Sequence, residues 1–390
     1  MKNILRYFRI TFFFILLLAY TFYDYFNSGN SGFDDTNRGG VYLFLILIVG
    51  YFLLYLFFNF PRNFLSKSYT RLMLCLTIWI LICNFVNLRF EWIMFVHLFM
   101  TIWWICTYYF FYSYCKSNPK SLKYIIGLFS IMFLLYVYFS FASQARIQLN
   151  RDMDHAVLNY AYNILVFLPL VLLIQNRTVR SVLLFLGIGT LFLSFKRGPL
   201  VILPVMYIAY QFAIPDSRLR LSSKFSRLFV AGFFFCMLFY IVDVISGGFL
   251  SNRFTISELQ DGSNRAEMWS LALEDISNRD FASLLIGKGS GSSIELLSSG
   301  VHNEWLEFIF TYGLIGALIY FFFGVSLFRK YLRLKKRASE FAPIIGVLVA
   351  FWSVVGIFSG FYFVHTSFYF FATLGIVDAL ESRYKQQISI

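Results

Sequence analysis

A chain of 390 residues that is 59% hydrophobic, 22% aromatic and only 14% charged, with a mean hydropathy of +0.69, cannot cover itself as a water-soluble domain does. Soluble domains carry roughly a quarter charged residues, so the composition points to an all-α, polytopic integral membrane protein. The net charge of +13 does not indicate nucleic acid, because the basic residues stand in short clusters between apolar stretches, as the positive-inside rule expects.

Spans need about 20 apolar residues each. The sequence predicts twelve, at 8–26, 41–58, 71–88, 92–112, 122–142, 156–174, 180–195, 199–214, 228–246, 304–328, 342–361 and 363–380. The amino-terminal run follows Lys2, Arg6 and Arg9 like a signal peptide but shows no small-residue cleavage site, so it reads as a retained first span. Placing both termini in the cytoplasm puts on that side the clusters Lys2/Arg6/Arg9, Arg62/Lys67/Arg71, Lys116/Lys120/Lys123, Arg177/Arg180, Arg218/Arg220/Lys224/Arg227, Arg329 to Arg337 and Arg383/Lys385. The organisation is then one membrane domain: spans one to nine over 1–247, a large outward loop with short helices over 248–303, and spans ten to twelve over 304–390. The five cysteines, Cys75, Cys83, Cys106, Cys115 and Cys236, fall in or at the ends of apolar spans, which leaves no disulfide framework and no metal-knuckle spacing. No internal repeat is visible. Nor is there a pair of Gly/Pro-broken spans in matching halves, the mark of many transporters.

Two outward turns depart from the charge bias. Arg146 and Arg151, balanced by Asp152 and Asp154, read as interfacial anchors. Ser194-Phe195-Lys196-Arg197-Gly198-Pro199 sets two cations at the outer end of a span with no nearby acid. By charge placement alone, Arg197 is equally an anchor and a functional cation.

In the outward loop, Met268, Trp269, Ala272, Leu273 and Ile276 recur at helical spacing, predicting a helix over 265–277. Asn264 fits as its N-cap, with Glu267 completing a capping box. Arg265 then falls in the first turn, where a cation opposes the helix dipole by roughly 0.3–1 kcal/mol but, beside unsatisfied N–H groups, can grip a phosphate in two-pronged fashion. The competing assignment is an exposed arginine paired with Glu267 or Asp261. The run Gly287-Lys288-Gly289-Ser290-Gly291-Ser292 lacks P-loop spacing and is read as a flexible connector. His302 opens the tenth span, where a helix N-terminus favours the neutral imidazole that can accept a proton. An interfacial histidine without a role fits the same position. His365, near the last outward turn, ranks next, ahead of His97 and His155. No HExxH, paired-carboxylate or Ser/His/Asp arrangement occurs, and four scattered histidines do not make a metal site.

Taken together, Ser194-Phe-Lys-Arg197-Gly198, Gly262-Ser-Asn-Arg265-Ala-Glu-Met-Trp269, Leu285-Ile-Gly287-Lys-Gly289, His302-Asn303-Glu304-Trp-Leu306 and Tyr312-Gly313-Leu-Ile-Gly316 resemble the O-antigen ligase/polymerase superfamily. The motif-bearing match covers roughly residues 190–325. The resemblance implies a glycosyltransferase of the GT-C type at the outer, periplasmic face of the bacterial inner membrane. Its donor and acceptor would be oligosaccharides on undecaprenyl diphosphate, with no cofactor, metal or nucleotide sugar. Carried over, Arg197 and Arg265 would bind the donor diphosphate and His302 would stand at the reaction centre. Arg253, Trp269, Asn303 and Glu304 would be substrate-side support. Lys196 departs from the pattern, which often has a small or hydroxyl residue there, and is either a third diphosphate contact or a neighbour facing lipid.

Polymerase and ligase share this constellation. Size, aromatic-rich spans and the run HNEWLEFIFTYGLIG resemble the polymerases, with a separate chain-length regulator as an implied partner. A lipid-linked oligosaccharide flippase would need charges in a central cavity, and Asp24, His97 and Asp243 are too scattered or too near span ends for that. A passive scaffold would not need Arg197, Arg265 and His302.

Overall fold

The computed structural model describes residues 2–28, 39–59, 65–150, 160–215, 220–255, 265–297, 300–361 and 364–388. Among them there is no strand. In chain order the α-helices are α1 (Lys2–Ser28), α2 (Gly39–Phe58), α3 (Ser68–Val86), α4 (Trp92–Ser117), α5 (Leu122–Asn150), α6 (Tyr160–Val171), α7 (Arg177–Leu193), α8 (Arg197–Ala213) and α9 (Leu221–Ile245). There follow the short α10 (Phe249–Asn252), α11 (Arg265–Ser277), α12 (Phe281–Ile286) and α13 (Ser292–Leu297), then α14 (Glu304–Lys336), α15 (Ala342–Phe358) and α16 (Val364–Ile388).

Each apolar stretch singled out in the sequence overlaps a helix. Among the described residues, six helical segments are long and apolar enough to cross a membrane: Tyr7–Phe26, Ser68–Val86, Trp92–Ser117, Pro119–Ala145, Leu221–Ile245 and Glu304–Lys336. Shorter apolar helices lie at Leu43–Phe58, Tyr160–Val171 and Ala342–Phe358. Of the long ones, α9 is the least enclosed, with 6% of its most apolar window buried.

Two compact units divide the chain. The first comprises Met1–Phe64, Cys106–Thr190 and Tyr369–Ile390. Its interior is aromatic: Phe13, Phe52, Phe110 and Phe111 are fully buried, and Phe167 stands 3.9 Å from Tyr369, centroid to centroid. Buried polar contacts between helices also sit in that interior. Tyr369 donates its hydroxyl to the Tyr136 hydroxyl at 3.3 Å, and Tyr108 donates to Asp378 Oδ2 at 2.7 Å.

The second unit, Leu65–Ile105 and Leu191–Phe368, contains every candidate site residue. Here α15 is the central post. Gly324 of α14 lets Trp352 lie against its backbone, for a Cβ there would come within 1.9 Å of the indole. Gly346 packs over Ala213 of α8, which seats α15 against α8 as well.

Two expectations from sequence need correction. The tenth span is not one continuous helix: Gly313, at φ 67 and ψ −174, breaks α14 after Tyr312. The glycine run is not a slack connector. Gly287, Gly289 and Gly291 all have φ near +85, and Ser290, Ser292 and Ser293 are buried. The Thr311 carbonyl, near the break, accepts the Gly289 N–H at 2.9 Å. Asn84 of α3 binds Ser290 twice, donating Nδ2–H to Oγ at 3.0 Å and accepting the Ser290 N–H at 2.9 Å. Cys83 Sγ donates to the Ile286 carbonyl at 3.1 Å, and Asn87 donates to the Gly287 carbonyl at 3.1 Å. Left-handed φ and close backbone approach are the two demands glycine meets without cost, and this loop makes both.

Candidate active site

The first cations come from the turn between α7 and α8. Ser194 Oγ donates back to the Leu191 carbonyl at 2.6 Å and accepts the Lys196 N–H at 3.3 Å. Phe195 takes a left-handed φ of 50, and Lys196 becomes the N-cap residue of α8. Pro199 is tolerated in the first turn because the N–H groups there have no helical partner. Arg197 Nη1 donates to the Arg253 carbonyl at 3.0 Å. Arg253 ends α10, whose approach is fixed by Gly247 and Gly248 at positive φ and by Asp243 Oδ1, which accepts the Ser251 N–H at 2.7 Å. Asp243 thus caps a turn.

The third and fourth elements are α11 and the start of α14. Arg265, the first residue of α11, donates Nη1–H to the Phe358 carbonyl at the end of α15, 3.1 Å away. The predicted apolar face of α11 is present in part. Ala272 is fully buried with Val301 and Phe310, with Trp269 and Ile276 packed on them, whereas Leu273 is 55% exposed. Asn264, the expected N-cap, lies outside the described residues, as do the side chains of Arg146, Arg151 and His365. Below that face, Asp275 accepts from Arg279 Nη2 at 2.6 Å and from Lys288 Nζ at 2.5 Å, while Arg279 Nη1 donates to the Phe310 carbonyl at 2.7 Å.

His302 sits on an exposed turn ahead of α14, at φ 55. A left-handed non-glycine residue costs of order 1–3 kcal/mol and persists only where its surroundings over-determine it. Here they do. Trp269 Nε1 donates to the Val301 carbonyl at 2.9 Å, and Asn303 caps α14, accepting the Leu306 N–H at 3.1 Å. Glu304 is buried, accepting the Tyr320 hydroxyl at 2.9 Å and the Phe361 N–H at 3.0 Å. Trp269, Asn303 and Glu304 therefore brace the turn.

Electrostatics ties the set together. Burial, then Arg265, Arg253 and Arg197, bring the Lys196 ammonium down to about 8. Crowding by protein, then Arg265 and Lys196, lower the His302 imidazole, with Glu307 opposing them. Lys196, Arg197, Arg253, Arg265 and His302 thus form one positively charged cluster. Arg197 and Arg265 add the N-termini of two helices, whose unsatisfied N–H groups favour an anion. Such a cluster suits a multiply charged oxyanion beside a neutral, proton-accepting imidazole. Among the described residues no group of three His, Cys, Asp or Glu side chains gathers as a metal site.

Sequence reasoning did not single out Glu307, which accepts hydrogen bonds from Ser293 Oγ, Thr311 Oγ1 and the Val301 N–H, at 2.5, 3.0 and 2.8 Å. Only its four-residue spacing from Thr311 on the same helix could have signalled one of them. No protein-family model, curated protein or solved structure matches the chain.

Proposed function

We propose that this chain is a membrane glycosyltransferase that polymerises lipid-linked repeat units into a surface polysaccharide, cleaving the glycosyl–phosphate bond of an undecaprenyl-diphosphate donor. The observation that carries the reading is the cluster of Lys196, Arg197, Arg253 and Arg265 beside a His302 whose proton affinity burial, then Arg265 and Lys196, depress. In the proposed step the acceptor hydroxyl attacks the anomeric carbon of the donor and gives its proton to His302. The bond to phosphate breaks, and the electron pair leaves on the diphosphate, whose charge the cations stabilise. The leaving group is already activated, so the scheme calls for no cofactor.

The same reading puts twelve spans of a GT-C-type fold in the bacterial inner membrane, with both termini cytoplasmic and the cluster facing the periplasm. A chain-length regulator is the expected protein partner. A ligase, passing the finished glycan to lipid A–core, would use the same chemistry.

A lipopolysaccharide ladder gel of a deletion strain separates these. Core plus a single repeat unit after deletion is the polymerase result, and core with no repeat is the result for a ligase or a flippase. Complementation with His302→Ala should reproduce the deletion while the protein is still made and inserted. A wild-type ladder from His302→Ala would remove the basis of the reading.

A further inference from the structure

Val301, the residue before His302, is held from both sides. Its N–H donates to Glu307 Oε2 at 2.8 Å and its carbonyl accepts the Trp269 indole N–H at 2.9 Å, while its side chain is fully buried with Ala272 and Phe310. The residue after His302 is pinned as well, since the Asn303 carbonyl accepts the Glu307 N–H at 2.8 Å and its side chain caps Leu306. His302 is therefore a single left-handed residue, φ 55, between two immobilised neighbours. Glu307 contributes to both pins, one through its carboxylate and one through its backbone. The other carboxylate oxygen takes Ser293 Oγ at 2.5 Å and Thr311 Oγ1 at 3.0 Å, which fixes the carboxylate against α13 and the last turn before the Gly313 break.

We infer that Glu307 is a positioning residue for His302: with Trp269 it clamps Val301 and so holds the left-handed turn that sets the imidazole beside Lys196 and Arg265. This rests on His302 as the proton acceptor. The groups acting on the imidazole are Arg265 on α11 and Lys196 ahead of α8, both of which disfavour its charged form, and Glu307, which favours it. Arg197 and Arg253 act on Lys196 in turn. Glu307 thus offsets part of the cationic field, so that the base retains affinity for the proton it takes.

The test is titration of the histidine ring C–H resonances of the whole protein in detergent micelles, with the His302 signal assigned from its loss in His302→Gln. Glu307→Gln keeps an acceptor for the Val301 N–H but removes the charge, and the His302 midpoint should move down. Trp269→Phe removes the indole donor together with part of the ring packed on Ala272 and Val301, and should displace the His302 resonance. In complemented cells each variant should lower polysaccharide formation about 10- to 100-fold, the usual cost of losing an orienting partner. Ser293→Ala removes a hydrogen bond to the same carboxylate without touching Val301 and should leave the His302 midpoint in place. An unmoved midpoint in Glu307→Gln, or equal shifts in Glu307→Gln and Ser293→Ala, would overturn the inference. If Glu307→Gln does not fold, an unchanged His302 resonance in Trp269→Phe overturns it instead. Failure of the functional reading looks different: His302→Ala would keep its product ladder while the midpoint still responded to Glu307.

Discussion

Gly287 and Gly313 meet backbone to backbone: a Cβ on Gly287 would lie 2.4 Å from the Gly313 nitrogen, and one on Gly313 only 2.2 Å from the Leu285 carbonyl oxygen. Both residues also hold positive φ, at 84 and 67. Alanine at either site meets steric overlap and a left-handed backbone together. Gly313→Ala should destabilise the fold by at least about 1–3 kcal/mol, read as a lower unfolding temperature in detergent. Gly232→Ala, where a Cβ meets nothing within 4 Å, is the control and should change little.

The rate should rise and then fall with pH. In the proposed reaction His302 can accept the proton only when neutral, and burial, then Arg265 and Lys196, depress its proton affinity. The acid limb should therefore have its midpoint below the ordinary histidine value of 6.5. Lys196, brought down to about 8, loses its charge as pH rises through that value, so donor binding should weaken on the alkaline side. Lys196→Arg, which keeps its charge in this range, should remove the alkaline limb and leave the acid limb. Initial rates on a lipid-diphosphate donor across pH 5 to about 9.5 check both limbs.

On the proposed chemistry, lysine should not replace arginine at 197 or 265. Each guanidinium donates one Nη1–H to a backbone carbonyl, that of Arg253 or of Phe358, and its planar fork matches the two-pronged geometry of a phosphate. An ammonium cannot keep this rigid, planar geometry. Arg197→Lys and Arg265→Lys should each lower kcat/KM about 100-fold, the scale of losing one preorganised charge-stabilising donor. Weaker binding of a short prenyl diphosphate by calorimetry would locate the loss in diphosphate recognition.

Asp275 is the keystone of the polar seam under α11. Burial raises its carboxyl, but hydrogen bonds from Lys288 and Arg279 outweigh that and hold it below the ordinary 3.8. The Arg279 side chain is 2% exposed. Asp275→Asn leaves that guanidinium without its counter-charge, at a cost of about 1–3 kcal/mol for a donor left without its charged partner. A depressed carboxyl contributes stability above its unfolded value and loses it as pH falls through the folded one. The wild-type advantage over Asp275→Asn should therefore be full near neutrality and shrink below about pH 4, as followed by thermal unfolding.

The helical class and the placement of helices were legible because apolar runs of span length leave little else to form. Arg197, Arg265 and His302 could be picked out from charge standing in the wrong place and from motif order. The break at Gly313 was hidden because a lone glycine in an apolar helix has the same sequence appearance whether the helix runs through it or stops. The glycine loop misled for a related reason: its order comes from Asn84, Cys83 and Asn87, some 200 residues earlier. Glu307 was not singled out because, apart from Thr311 on its own helix, its partners are a serine and a backbone N–H drawn from separate segments.

The interruption at Gly313 has a mechanical consequence. A helix that spans a bilayer tilts when the bilayer thickens or thins, and a continuous α14 would lever any such tilt into its first turns. At Gly313 the rod ends. The stub that follows His302 is tied instead to α3 and α4, through Trp79 Nε1 donating to the Tyr312 carbonyl at 2.9 Å and through the contact of His97 with the Tyr312 hydroxyl. The glycine would uncouple the two pieces, so that the apolar shaft beyond it could lean while the stub carrying Glu307 keeps its seat.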